Sequence, residues 1–170
     1  ASMTAHKGSE ARLSRRPLAA ELPDPDADPF AFPYNCGFRR ESFLEDPEPD
    51  SDYDVILCLS VTKWIHFNHG DEGIKRLFTK FYAALKPGGR LILEAQDWGS
   101  YRKKKSLCES FKRHVAAIQL RPDMFDKYLL EEVGFASSAD LIAPPPASAV
   151  GTHGNSGFHR PMRVYLKASG

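Results

Sequence analysis

Cysteine is scarce in this chain: Cys36, Cys58 and Cys108 are the only three in 170 residues, widely spaced and without a CxxC pair. An odd, dispersed set argues against a disulfide framework and against a zinc site, so no metal is expected. Long hydrophobic runs are missing too. No stretch approaches the roughly 20 apolar residues that span a bilayer, and the N-terminus lacks a signal-peptide hydrophobic segment, so an intracellular protein with no membrane partner is expected. Net charge is nearly absent, at +1. That sum conceals an asymmetry, because residues 21–54 carry many carboxylates (Asp24, Asp26, Asp28, Glu45, Asp46, Glu48, Asp50, Asp52) and only two arginines. Residues 101–127 are basic instead, with Arg102-Lys103-Lys104-Lys105, Lys112-Arg113, Arg121 and Lys127. Such a stretch is either a solvated lysine face or a surface that meets phosphate.

The most informative stretch present is residues 54–68, Asp-Val-Ile-Leu-Cys-Leu-Ser-Val-Thr-Lys-Trp-Ile-His-Phe-Asn. Val55 to Leu59 is a continuous apolar run with β-branched members, as expected of a parallel strand covered on both faces. In open α/β sheets ligands sit beyond the carboxyl ends of such strands, which is where the Ser, Thr, Lys, Trp, His and Asn cluster falls. A plainer reading makes Thr62 to Asn68 the cap of the next helix, with Trp64 as packing.

The rest of the pattern predicts one α/β domain. Residues 1–35 are small, polar and proline-rich and form a tag-like or disordered lead-in, with the domain at 36–170. A short strand is expected at 38–43 and a strand at 53–59. Ile74, Leu77, Phe78, Phe81 and Leu85 recur every three or four residues, predicting an amphipathic helix over 71–85. Lys86-Pro87-Gly88-Gly89 should stop it, and Arg90 to Glu94 is the next buried strand. The expected remainder is a helix at 105–120, a second opened by Arg121-Pro122-Asp123 and running to about Glu132, a strand near 139–143, a loop at 144–157 and a last strand at 162–168. Two closing strands joined by a loop suggest an antiparallel edge hairpin.

This order resembles the second half of a class I (Rossmann-like) S-adenosylmethionine-dependent methyltransferase: strand four, a helix, the Leu85-Lys86-Pro87-Gly88-Gly89 turn, strand five and a terminal hairpin. A narrower likeness lies in four motifs in order: Leu57-Cys58-Leu59-Ser60-Val61-Thr62-Lys63-Trp64-Ile65-His66; Gly70-Asp71-Glu72-Gly73; Leu93-Glu94-Ala95-Gln96-Asp97-Trp98 with Ser100-Tyr101; and Gly157-Phe158-His159-Arg160-Pro161. Together they resemble the methylphosphate capping enzymes, the bicoid-interacting RNA methyltransferases, over about residues 36–168. The resemblance implies a nuclear enzyme that methylates the γ-phosphate at the 5′ end of small noncoding RNA such as 7SK, in company with ribonucleoprotein proteins. A sister branch acts on 5′-monophosphates.

On that resemblance the nucleophile is a phosphate oxygen, already ionised at neutral pH, and the protein's task is positioning and balanced electrostatics. Lys63 is the candidate cation, His66 or Asn68 a further hydrogen-bond partner, and Arg160 a bidentate phosphate contact. Phe158 and Tyr101 are candidates to stack on exposed bases. Lys103, Lys104 and Lys105 would track the RNA backbone. For the donor S-adenosyl-L-methionine and its product S-adenosyl-L-homocysteine, Leu59 and Ser60 match the end of strand four. Ser42 and Phe43, in Glu41-Ser42-Phe43, match a motif after strand three more weakly. Each residue also has a plain structural alternative: a surface charge for Lys63, a cap for His66, packing for the aromatics.

One departure from the family pattern is an absence. Only Gly8 and Gly37 precede the strand at 53–59, with no Gly-x-Gly turn, and residues 1–35 are too few for two strands and two helices. Strands one and two, with the cofactor glycines, are therefore expected to be lacking, leaving strand 54–59 with an open apolar edge. A fragment, a second chain completing the sheet, or a rearranged N-terminal segment would each account for this. A catalytically silent RNA-binding or ribonucleoprotein-assembly module is the alternative function.

Overall fold

The apolar run after Asp52 forms strand β1 (Tyr53–Leu59), ending where Ser60 turns the chain. A computed structural model of the protein describes residues 32, 35–38, 40–45, 52–104, 108–141 and 161–170. The chain divides into two units, 1–42 and 43–170, and the second holds every strand and helix described. The expected strand at 38–43 is not there: its described residues form a bend and a turn, and among the described residues no strand pairs with them. Extended backbone without a ladder partner gains nothing over a turn.

Helix α1 (Thr62–Ala84) starts nine residues before the apolar periodicity predicts, so the polar cluster after Ser60 lies on a helix. It is two helices merged across a kink at Gly70, whose φ of 63° and ψ of −160° suit glycine alone. The predicted stripe is the buried one: Ile74, Leu77, Phe78, Phe81 and Leu85 enter a core with Cys58, Leu91, Leu93, Phe125, Leu129 and Tyr165. Burial drives the Cys58 thiol up to about 12, so it stays protonated in that core.

Strand β2 (Leu85–Glu94) follows α1 directly, so the proline-glycine motif is not a separate turn. Tyr53 pairs with Leu85 and Val55 already with Arg90, which leaves Lys86 to Gly89 bulging from the parallel ladder. Gly88 takes φ +75° at the bulge and donates its N–H to the carbonyls of Lys167 and Ala168, at 3.1 and 3.3 Å.

Arg102, Lys103 and Lys104 lie in helix α2 (Trp98–Lys104), which the sequence pattern did not predict, and among the described residues of the helix expected over 105–120 the helical ones are α3 (Glu109–Ala117). Val115 and Ile118 are buried with Phe67 and Tyr101, as their spacing predicts. Pro122 opens a 3-10 turn that continues as α4 (Phe125–Tyr128) and a π-helical turn through Val133, close to the predicted end, before left-handed Gly134. Strands β3 (Ser137–Asp140) and β4 (Arg163–Leu166) form the expected antiparallel pair.

The sheet order is β1-β2-β4-β3, with β1 parallel and β4 antiparallel to β2. This is an α/β arrangement with β1 and β2 where the resemblance puts strands four and five, and β3 and β4 as the closing hairpin. Among the described residues β1 is paired on one side only. Its Val55, Leu57 and Leu59 share a face with Ile92, Val164 and Leu166, and Leu57 is 61% exposed. Among the described residues, then, β1 keeps one unpaired edge and an exposed apolar face. No helix among the described residues is long and apolar enough to cross a membrane.

Candidate active site

Ser60 ends β1 in the left-handed region, φ +59°, a conformation that costs a non-glycine residue about 1–2 kcal/mol. Strand β2 holds it there. The Ser60 N–H donates to the Glu94 carbonyl at 3.1 Å, and its Oγ donates to Glu94 Oε1 at 2.6 Å. The next residue, Val61, is the N-cap of α1 and has no side-chain oxygen to satisfy the helix's first N–H groups. Gln96 does so from across the sheet. Its Oε1 accepts from the Lys63 N–H and from Thr62 Oγ1, both at 3.3 Å, while its Nε2 donates to the Ser60 carbonyl at 2.5 Å. The segment Ser60 to Lys63 is thus built onto the carboxyl ends of two parallel strands, where open α/β sheets place their ligands.

Lys63, in the first turn of α1, is buried, 7% exposed, with its ammonium 5.4 Å from the centre of the Trp64 ring. Trp64 is 42% exposed and stands edge-on to Phe67. Asn68, one turn on, is exposed and donates its side-chain N–H to the Trp64 carbonyl at 2.8 Å. Past the end of β2, the Arg121 guanidinium lies 5.1 Å from the Trp98 ring centre. Arg102 and Lys103 are exposed on α2. Cations and half-open aromatic faces suit a polyanion with unstacked bases.

His66 and Tyr101 are placed differently from the roles the resemblance implies. Both are fully buried, with Tyr101 Oη 3.0 Å from His66 Nδ1 and the two rings edge-on. The His66 ring also lies against Phe125, ring centres 5.7 Å apart, and Tyr101 fills a cluster with Phe67, Val115 and Ile118. Burial raises the Tyr101 phenol well above its ordinary range, so it remains a neutral donor. On the other side of the ring, Asp71 Oδ1 lies 3.4 Å from His66 Nε2 without hydrogen-bond alignment, while Oδ2 accepts from the N–H groups of Gln119 and Leu120. The pair ties the kink in α1 to the segment after α3.

Burial lowers the His66 imidazole to about 4, only partly offset by the Asp71 carboxylate. The unfolded chain binds that proton near pH 6.5 and the native protein does not, so the contribution is intact above about pH 6.5 and is lost as pH falls toward 4. The loss should reach about 3 kcal/mol at 1.36 kcal/mol per pH unit. Urea unfolding at about pH 7 and about pH 4.5 checks this: His66→Gln should narrow the gap between the two pH values, and an unchanged gap would refute the assignment.

Of the proposed cofactor residues in the second unit, Phe43 is not brought to Leu59 and Ser60. Leu59 and Ser60 stand at the end of β1, Leu59 exposed, whereas Phe43 packs on Phe81 with ring centres 5.3 Å apart and accepts from Lys80 Nζ through its carbonyl at 2.6 Å. Lys80 and Phe81 lie near the C-terminal end of α1, beyond the kink at Gly70, whereas Lys63 is in its first turn, so Phe43 is held at the far end of the helix. Ser42 is exposed and belongs to the other unit. Lys105, Phe158 and Arg160 lie outside the described residues, as does the side chain of Lys104. Among the described residues no group of His, Cys, Asp and Glu converges as a metal site. Two residues without an assigned role, Glu94 and Gln96, hold the strand-end segment; the signal for them was polar side chains closing a buried strand opposite a helix start whose cap is valine.

Residues 53–167, from β1 through β4, match the family described as Bicoid-interacting protein 3 (Bin3). The chain is 44% identical over 162 residues to the 7SK snRNA methylphosphate capping enzyme of Mus musculus, covering 91% of this chain and 23% of that protein. It is 44% identical over 165 residues to the Homo sapiens protein of the same name, covering 91% and 22%. With the U6 snRNA methylphosphate capping enzyme Amus of Drosophila melanogaster it shares 45% over 135 residues, covering 79% of this chain and 42% of that one. The chain spans under a quarter of the length of the two mammalian relatives. A family match that takes in every strand of the described sheet establishes that the chain belongs to the Bicoid-interacting protein 3 (Bin3) family.

Proposed function

We propose that this chain supplies the phosphate-facing half of an RNA 5′-phosphate methyltransferase site, capping the γ-phosphate of a small noncoding RNA of the 7SK type in the nucleus. The observation that carries the reading is Lys63 held on a pinned segment at the carboxyl ends of β1 and β2. The names of the relatives point the same way: each is a methylphosphate capping enzyme for a small nuclear RNA. Lys63 would neutralise terminal phosphate charge while leaving an ionised oxygen free to attack, so no general base is required. Asn68, Lys103, Lys105, Phe158 and Arg160 are proposed RNA contacts, with the basic side chains setting salt-dependent affinity. His66 and Tyr101 support the helix that carries Lys63 from beneath.

The methyl donor is proposed to be S-adenosyl-L-methionine, the donor of this family. The described residues fit it only in part: Leu59 and Ser60 stand at the strand end, but no glycine-rich turn accompanies them and Glu94 is engaged by Ser60. The open edge of β1 is where a strand from outside the described residues, or from a second chain, would complete the sheet and the donor site.

The test compares 5′-triphosphorylated and 5′-hydroxyl RNA of one sequence, in binding and in methyl transfer from S-adenosyl-L-methionine. Preference for the phosphorylated end, with label on the terminal phosphate, is expected. Equal affinity for both ends would overturn the reading, and phosphate preference without transfer would favour the RNA-binding module.

A further inference from the structure

We infer that Gln96 is a positioning residue for 5′-phosphate recognition, fixing the backbone from which Lys63 projects while touching neither phosphate nor ammonium. The inference rests on the phosphate-binding reading of Lys63 above. Gln96 is 2% exposed, so its amide cannot exchange protein partners for bulk water, and each polar atom must be satisfied internally. All three of its hydrogen bonds fall within Ser60 to Lys63. The orientation of the amide follows from its partners: the Ser60 carbonyl can only accept and the Lys63 N–H can only donate.

Two features of the segment make an external clamp necessary. Ser60 occupies a left-handed conformation that it would leave if unconstrained, and its carbonyl is the group that Gln96 Nε2 holds. Val61 cannot cap α1, so the N–H of Lys63 itself depends on Gln96 Oε1. Removing the amide frees the Lys63 N–H and the Ser60 carbonyl from Gln96 together, leaving Ser60 held by Glu94. The buried Lys63 side chain would then start from a different backbone position, and a small displacement at that point moves the ammonium away from its target.

The experiment measures affinity of the full chain for 5′-triphosphorylated and 5′-hydroxyl RNA of one sequence, and reads their ratio. It uses Gln96→Met, which keeps length and loses every hydrogen bond, and Gln96→Glu, which keeps the acceptor for Thr62 and Lys63 but loses the donor to Ser60. Gln96→Met should lower the ratio about tenfold, the effect of one charge-assisted contact, with 5′-hydroxyl affinity unchanged. Gln96→Glu should fall between it and the parent. In a Lys63→Ala background Gln96→Met should change nothing further, because the effect passes through Lys63. An unchanged ratio, equal loss on both RNAs, or a full additional loss in the Lys63→Ala background would overturn the inference. So would loss of fold in both Gln96 variants, which would make the residue a stability element only. If Lys63→Ala leaves the ratio unchanged, the phosphate reading of Lys63 fails and the inference goes with it; if Lys63→Ala abolishes it while Gln96→Met does not, only the inference fails.

Discussion

Lys63→Ala is expected to remove most of the preference for a 5′-phosphorylated RNA end, by about 10- to 100-fold, while leaving affinity for 5′-hydroxyl RNA nearly intact. The magnitude follows from losing a hydrogen-bonded charge, about 1.5–3 kcal/mol, in a partly desolvated position where the contact is stronger than in water. Lys63 has the setting for this: a buried side chain, an ammonium beside a half-exposed indole, and a backbone N–H tied to Gln96. Lys63→Arg should restore only part of the preference, since a planar guanidinium on a different stem keeps the charge but not its position. Filter binding over a salt series distinguishes this from general loss of basic charge. Charge removal at Lys103, exposed on α2, should weaken both RNAs alike and reduce the salt slope. A Lys63→Ala protein with parental phosphate preference would remove Lys63 from the site.

The second large effect concerns stability. Phe78 is fully buried at the centre of the α1 stripe, edge-on to Phe125 with ring centres 5.1 Å apart. Phe78→Ala should cost about 3–5 kcal/mol, transfer free energy plus the cavity left behind. Domains have only about 5–15 kcal/mol in total, and this sheet leaves one apolar face of β1 uncovered, so the variant should unfold at low urea or fail to fold. Leu57 provides the contrast. It is apolar and central in β1, yet 61% exposed, and Leu57→Ser should change the urea midpoint little. Circular dichroism during urea titration checks both, and a Leu57→Ser loss equal to that of Phe78→Ala would mean that β1's outer face is covered in solution.

How much of this was legible beforehand varies by element. The α1 stripe was, because burial every three or four residues is written directly into residue order, and the strand at 53–59 was, because its apolar run is continuous. The start of α1 was not. Thr62 to Asn68 mixes polar residues with Trp64, Ile65 and Phe67 and is preceded by Val61, which has no side-chain oxygen to cap a helix; the cap comes from Gln96, more than 30 positions later. The helix at α2 was hidden for a similar reason, since its basic residues carry no apolar stripe and its anchors, Tyr101 with Trp98 beside it, pack in a cluster with Phe67 and Val115.

By itself the sequence determined the α/β class, the family likeness, the core face of α1 and the candidate cation Lys63, each read from local periodicity or short motifs. Only the tertiary structure decided that His66 and Tyr101 are buried partners, that Phe43 sits at the far end of α1, and that Glu94 and Gln96 clamp Ser60 and Lys63. The physical reason is that periodicity reports which side of an element is dry, whereas the partner of a buried polar group is set by how separate elements pack.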